Sequence, residues 1–213
     1  MKEQITLDRF EIRLSGLGGQ GILTLGKLLG HALALGHGYQ VTQTQSYGPE
    51  ARGGASRADL VVSSHPISYP KTERLDLLVA LSQEACNSYH HLLKKSGVLL
   101  VDTGLVKQTP TNVFLGLPFT DLALTRVKVP QAMNTVVLGA VTFLMPFAKR
   151  DVMRKSLLAN LPEKIHKANL KAFSLGYDQA RRLLTQPIAL WTGEDEDTAK
   201  RGDMNLTDIM VED

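Results

Sequence analysis

Near the amino terminus, Phe10, Ile12 and Leu14 alternate with Glu11, Arg13 and Ser15, the two-residue period of a strand with one buried face. From Ile22 the period changes. Leu25, Leu28, Leu29 and Ala32 recur at three- and four-residue steps, which predicts an amphipathic helix. Four glycines, Gly16, Gly18, Gly19 and Gly21, lie within the six residues between them. Strand, glycine turn and helix make the opening βα unit of an open sheet. Tyr39–Thr44 and Ala58–Ser63 read as the next two strands, separated by a loop dense in turn residues. Ser63–Pro66 reads as a turn, with a brief extended return over Ile67–Pro70.

The apolar run Leu75–Leu81 predicts a strand covered on both faces. Ser82 is placed to cap a helix reaching Lys95, with Gly97 as its stop. Val98–Val101 is then a buried strand ending at Asp102-Thr103-Gly104, and Asn112–Leu115 a further short one. The remainder is helical: Phe119–Thr125, a segment from Val129 to about Phe147, Lys149–Asn160, and Glu163–Leu184. The predicted class is therefore α/β: a doubly wound, mostly parallel sheet with a helical carboxyl-terminal portion. Residues 135–147 are apolar nearly all round, which places them inside the domain or at an interface. A chain of this size has little room to enclose such a helix, so a subunit contact is the favoured expectation.

Composition narrows the class. A chain of 213 residues holds one ordinary core, read as a single α/β domain over residues 1–190. Residues 191–213 are acidic and poor in apolar side chains, and are read as a flexible tail. No apolar run approaches the roughly 20 residues that cross a bilayer, and the first residues lack a signal-peptide core. A cytoplasmic location with no membrane partner is the expectation. The net charge of +3 conceals a basic body and an acidic end. Basic residues scatter with little aromatic interleaving, so nucleic acid is not favoured as a partner, whereas acidic small molecules or an acidic protein are. Cys86 is the single cysteine, which excludes an intrachain disulfide and a cysteine-ligated iron–sulfur cluster held by this chain.

Candidate chemistry concentrates in two stretches. Gly16, Gly18, Gly19, Gln20 and Gly21 fit a turn whose bare N–H groups, reinforced by the helix dipole, face a phosphate or carboxylate. A dinucleotide would further require a carboxylate about 20 residues on; Gln40, Gln43 and Gln45 stand there instead. Two readings of the turn remain, an anion cradle and a purely structural corner. The second stretch holds Ser46, Tyr47, Gly48, Glu50, Arg52, Gly53 and Gly54. Paired glycines beside an arginine suit a carboxylate or phosphate, although Glu50 can instead satisfy Arg52 or Arg57 within the loop. Both stretches and Thr103 fall at predicted strand exits, where open sheets bind ligands, so one shared crevice is expected. No catalytic side chain and no metal site is assigned. His90 and His91 are adjacent rather than four apart, so they read as solvated surface.

Gly-x-Gly-Gly-Gln-Gly at residues 16–21, followed by Ser-Tyr-Gly-Pro-Glu-x-Arg-Gly-Gly at 46–54, resembles the gamma subunit of 2-oxoacid:ferredoxin oxidoreductases. Asp102-Thr103, Arg126–Pro130, Asn134, Leu138–Ala140 and Asn169–Tyr177 are similar to later segments of that family, and the likeness spans roughly residues 10 to 180. The complete second motif resembles the 2-oxoglutarate and branched-chain branches. One departure stands out: Pro130 leads almost directly to Asn134, where relatives often carry a longer stretch. The resemblance implies a subunit of an enzyme that decarboxylates a 2-oxoacid, reduces ferredoxin and forms an acyl-coenzyme A. It further implies alpha, beta and ferredoxin-like delta partner subunits, with thiamine diphosphate, magnesium and [4Fe-4S] clusters on those partners. This chain would support assembly and help receive coenzyme A. The alternatives are a stand-alone nucleotide- or phosphate-binding module and a purely structural interface subunit.

Overall fold

The alternation at residues 10–16 becomes β1 (Phe10–Gly16), the central strand of a six-stranded sheet, in a computed structural model that describes residues 5–46, 56–110 and 114–184. The other strands are β2 (Gln40–Ser46), β3 (Ser56–Ser63), β4 (Leu75–Ala80), β5 (Leu93–Asp102) and β6 (Leu115–Leu117), ordered β2-β3-β1-β4-β5-β6. The pairings β1–β4, β4–β5 and β5–β6 are parallel, whereas β3 runs antiparallel to both β1 and β2. The sheet is thus mixed and mostly parallel, as the pattern predicts, with one reversed strand that the pattern does not announce.

Helices cover both faces. On one face lie α1 (Ile22–His31), which continues as a π-helical turn over Ala32–Gly36, α4 (Met133–Leu144) and α5 (Arg150–Asn160), backed by α6 (His166–Leu183). They enclose the larger core with Ile12, Leu14, Leu60, Leu77, Val79 and Leu100 from the strands. The opposite face carries α2 (Gln83–Tyr89), whose Ala85 and Cys86 pack on Leu78, Leu99 and Val101. Ser82 caps α2 as predicted, its hydroxyl accepting the Ala85 N–H at 3.2 Å. Burial pushes the Cys86 thiol pKa up, which leaves it an inert packed side chain.

The structure corrects three readings. The helix expected to reach Lys95 ends at Tyr89, and β5 begins at Leu93 rather than Val98. Leu93 is claimed by β4, pairing with Leu75 ahead of an irregularity near Gly97, where a side chain would strike backbone. Residues 67–70 form no strand; their carbonyls serve instead as acceptors, Tyr69 O for Arg9 at 2.9 Å and Pro70 O for Thr42 at 3.2 Å. Nor does the apolar helix need a subunit to cover it. All of α4 except Asn134 is buried within this chain, between the sheet and α6. Two glycines make that possible: a Cβ on Gly139 would meet the Phe173 carbonyl, and one on Gly176 the Val136 carbonyl. The two backbones therefore touch, and neither can retreat without opening the core.

Over β1 and β3 the second face is filled by charge instead of a helix. Arg13 donates to both carboxylate oxygens of Asp59 at 2.7 and 2.8 Å and lies 4.6 Å from the Tyr89 ring centroid. Glu11 accepts the N–H groups of Glu73 and Arg74 at 2.5 and 2.9 Å. Asp76 accepts the Glu11 N–H at 2.7 Å and pairs with Lys94 at 2.8 Å, yet burial still pushes its carboxyl above the usual range. Partners at this density are what make such buried ions tolerable.

Two predictions follow from the packing. Gly176→Ala forces α4 and α6 apart and lowers stability by about 3 kcal/mol, the upper end of core overpacking, read by denaturant titration. His37 supplies the second. Its ring bridges α1 to α5, with Nδ1 2.9 Å from the Ala32 carbonyl and Nε2 accepting the Lys149 N–H at 2.7 Å. Burial, with Lys149 adding to it, lowers the pKa of His37 below 6.5. The unfolded chain then binds the proton first, so this contribution is complete above the unfolded value and declines as pH falls through it. Denaturation midpoints measured from pH 8 to 5 should fall more steeply for the wild type than for His37→Gln.

Candidate functional site

Every parallel strand delivers its carboxyl end to one rim, and the reversed β3 brings its beginning there as well. Gly16 at the end of β1 faces Ser56 at the start of β3, and Arg57 in turn faces Ser46 at the end of β2. Ala80, Asp102 and Leu117 close β4, β5 and β6 at the same rim. The end of β2 and the start of β3 therefore stand at the rim that carries the glycine turn. Tyr47, Gly48, Glu50, Arg52, Gly53 and Gly54 lie outside the described residues.

Within the turn the glycines do different work. Gly21 has φ +73° and serves as the N-cap of α1, and a Cβ there would meet Asn134 Nδ2 at 2.6 Å. Gly19 has φ +88° with open space where a side chain would go. Gly18 is exposed and equally open, without the left-handed backbone. Gly16 is buried, and a Cβ on it would clash with the Gln20 amide. That amide is already engaged: Oε1 accepts the Leu17 N–H at 2.6 Å, and Nε2 donates to the Leu81 carbonyl at 3.0 Å. Gln20 thus pins the turn to the end of β4. No side chain caps the first turn of α1, and no acidic residue lies in it, so the positive end of the helix faces outward.

Asp102 organises the neighbouring corner. Fully buried, its carboxylate accepts the Gly104 N–H at 2.9 Å, the Thr120 N–H at 2.9 Å and the Thr120 hydroxyl at 2.6 Å. This holds the 102–106 turn against α3 (Phe119–Asp121), which runs on as a π-helical turn to Val127. Thr103 is exposed; its N–H bonds Leu117 O at 3.1 Å and its carbonyl accepts Lys107 Nζ at 3.1 Å. Lys128 then takes φ +65°, alone among the described non-glycine residues, and swings Pro130–Ala132 back toward the glycine turn.

Between these corners opens a cleft of about 280 Å³, lined by Gly19, Gln20, Gly21, Leu105, Thr120, Pro130, Gln131 and Met133. Its walls combine apolar side chains with bare backbone, suited to one part of an elongated ligand that carries an anionic group. Gly19, Gln20 and Gly21 line it, while Thr103 and Ser46 sit at the same rim outside its lining. Sequence reasoning missed Leu105, Thr120, Pro130, Gln131 and Met133. The available signal was the Lys128–Pro130 corner, where the helix pattern breaks before resuming. Among the described residues, no group of three or more His, Cys, Asp or Glu side chains is placed to hold a metal ion, and no helix is long and apolar enough to cross a membrane.

A mixed, mostly parallel sheet with helices on both faces and a glycine turn at its carboxyl rim defines an α/β fold of the doubly wound class. Over residues 11–179 the sequence matches the pyruvate ferredoxin/flavodoxin oxidoreductase family, and the chain belongs to that family. It is 46% identical over 179 residues to the 2-oxoglutarate synthase subunit KorC of Methanocaldococcus jannaschii, a match covering 82% of this chain and 96% of that one. Its fold matches the gamma subunit of a keto/oxoacid ferredoxin oxidoreductase from Geobacter sulfurreducens with a TM-score of 0.75 and 37% identity, over 82% of this chain and 97% of that one. The 2-oxoglutarate:ferredoxin oxidoreductase of Magnetococcus marinus, solved with 2-oxoglutarate, coenzyme A and succinyl-CoA bound, contains the same fold: TM-score 0.73 at 22% identity, over 85% of this chain and 33% of that one.

Alanine variants separate the two roles of the turn. Gly21→Ala meets both a left-handed backbone and Asn134, and should lose about 2 kcal/mol or more, against about 1 kcal/mol for Gly19→Ala, whose only penalty is conformational. Thermal unfolding of both variants checks the order.

Proposed function

We propose that this chain is the gamma subunit of a 2-oxoglutarate:ferredoxin oxidoreductase that forms succinyl-coenzyme A. The observation that carries this reading is the likeness to KorC over nearly the whole length of that protein. Thiamine diphosphate with magnesium, and the [4Fe-4S] clusters, reside on alpha, beta and ferredoxin-like delta partners; one cysteine in this chain cannot ligate a cluster. The contribution of this chain is assembly and the handling of coenzyme A. Ser46, Tyr47, Gly48, Glu50, Arg52, Gly53 and Gly54 act with the glycine turn and Thr103 along one rim. In support, Ser56 pairs with Gly16 and Arg57 with Ser46 at that rim, and the cleft beside the turn combines apolar walls with the open start of α1. A cleft of this size accepts a phosphate-bearing portion of coenzyme A rather than the whole molecule.

Co-expression with the thiamine-binding and cluster-bearing chains tests the assignment. The expected product is a brown complex that reduces ferredoxin only with both 2-oxoglutarate and coenzyme A, while the chain alone is colourless and inactive. Turnover by the isolated chain would overturn the reading. Within the complex, Arg52→Ala should raise the KM for coenzyme A about tenfold, the ~1.4 kcal/mol of one weakened charge-assisted contact, and leave the KM for 2-oxoglutarate unchanged. Equal effects on both substrates would place Arg52 elsewhere in the cycle.

A further inference from the structure

The basic character of this chain is not spread evenly. Between residues 149 and 184, nine lysines and arginines stand against three acidic residues, a local surplus of six over a whole-chain net charge of +3. On α6, Lys167, Lys171, Arg181 and Arg182 are exposed and separated by near multiples of the helical turn, so they share one side. The acidic residue on that side, Asp178, is already engaged by Arg150 at 3.3 Å, and the Arg150 guanidinium lies 4.3 Å from the Tyr177 ring centroid. Arg154 follows one turn later on α5. The Nε atoms of Arg150 and Arg154 are both buried without a hydrogen-bond partner. Arg154 also lies 3.9 Å from Asp151, so the result is a basic stripe, anchored by stacking, in which cations outnumber their carboxylate partners.

Residues 194–213 carry the complementary charge: eight acidic residues against Lys200 and Arg201, a deficit of six. They lie beyond residue 179, where the family match ends. We propose that the α5–α6 basic stripe is the seat of this chain's own acidic carboxyl-terminal segment. Reach permits it. Residues 185–193 span at most about 30 Å when extended, and α6 is about 27 Å long at 1.5 Å per residue, so Glu194 can come to any turn of that helix. Tethering raises the effective concentration of the segment to about the millimolar range. Exposed charges more than about 10 Å apart are screened at moderate salt, so the contact weakens as ionic strength rises. Occupied this way, the stripe admits another acidic surface only by displacing the segment.

Zero-length carbodiimide cross-linking of the purified full-length chain, read by peptide mass spectrometry, tests this. The expected result is that carboxylates of residues 194–213 join Lys167 and Lys171 in preference to lysines on other faces such as Lys27, Lys71 and Lys107. High salt should reduce these links several-fold. Arg181→Glu with Arg182→Glu should also reduce them several-fold while circular dichroism stays unchanged. A third variant, with Glu194, Asp195, Glu196 and Asp197 changed to their amides, removes half of the partner charges, and the links then counted, from Asp203, Asp208, Glu212 and Asp213 to Lys167 and Lys171, should also fall several-fold. Links spread evenly over all lysines, links only between separate chains, or links insensitive to these variants would each overturn the proposal.

Discussion

The antiparallel register of β3 between β1 and β2 is the constraint on which the site depends. Because Gly16 faces Ser56 and Ser46 faces Arg57, a reversed strand returns the chain to the rim where the parallel strands end. Had β3 been parallel, its first residue, Ser56, would lie at the opposite rim of the sheet from Gly16 and Ser46. In open sheets the carboxyl rim also collects helix starts and unpaired backbone groups. One reversal thus sets the start of β3 beside the end of β1, at the rim where α1 begins.

The rim is only as rigid as the layer behind it. Gly21 abuts Asn134 at the start of α4, and α4 is held against α6 through Gly139 and Gly176. The turn, the buried helix and its backing helix form a continuous stack in which each contact approaches backbone distance. A stack of this kind has no slack for larger side chains, and core packing of native density transmits displacement rather than absorbing it. On the other side, Gln20 ties the turn to Leu81 and Asp102 ties the adjacent corner to Thr120. These polar side chains at the rim therefore set geometry, and exposed backbone is left for a ligand.

Charge is partitioned by depth. Arg13, Asp59, Glu11 and Asp76 sit under the second face, where each is matched by a partner or by several N–H groups. Their Coulomb energies act at low local dielectric and serve to fix the 69–74 segment over the sheet. The surplus cations lie on α5 and α6, where solvent screens them and where long-range attraction matters more than local bonding.

Periodicity by itself indicated β1, α1, β4 and the helical carboxyl-terminal portion, and with them the class of sheet, since alternation and 3.6-residue spacing express which face of each element is buried. The Ser82 cap was legible for the same local reason, and two motifs in order were enough to indicate the family. Tertiary structure alone decided the direction of β3, because strand polarity leaves no mark on a two-residue period. It decided that residues 93–97 join β5 although their neighbourhood reads as helix, because pairing with β4 outweighs local propensity. It also decided that α4 is enclosed by this chain: apolarity says a helix must be covered, and only the glycine contacts with α6 say by what. The cleft at Pro130–Met133 was hidden for a related reason, as its walls meet from segments more than a hundred residues apart. Local pattern reports burial and turn; the identity of the partner across a contact belongs to the fold.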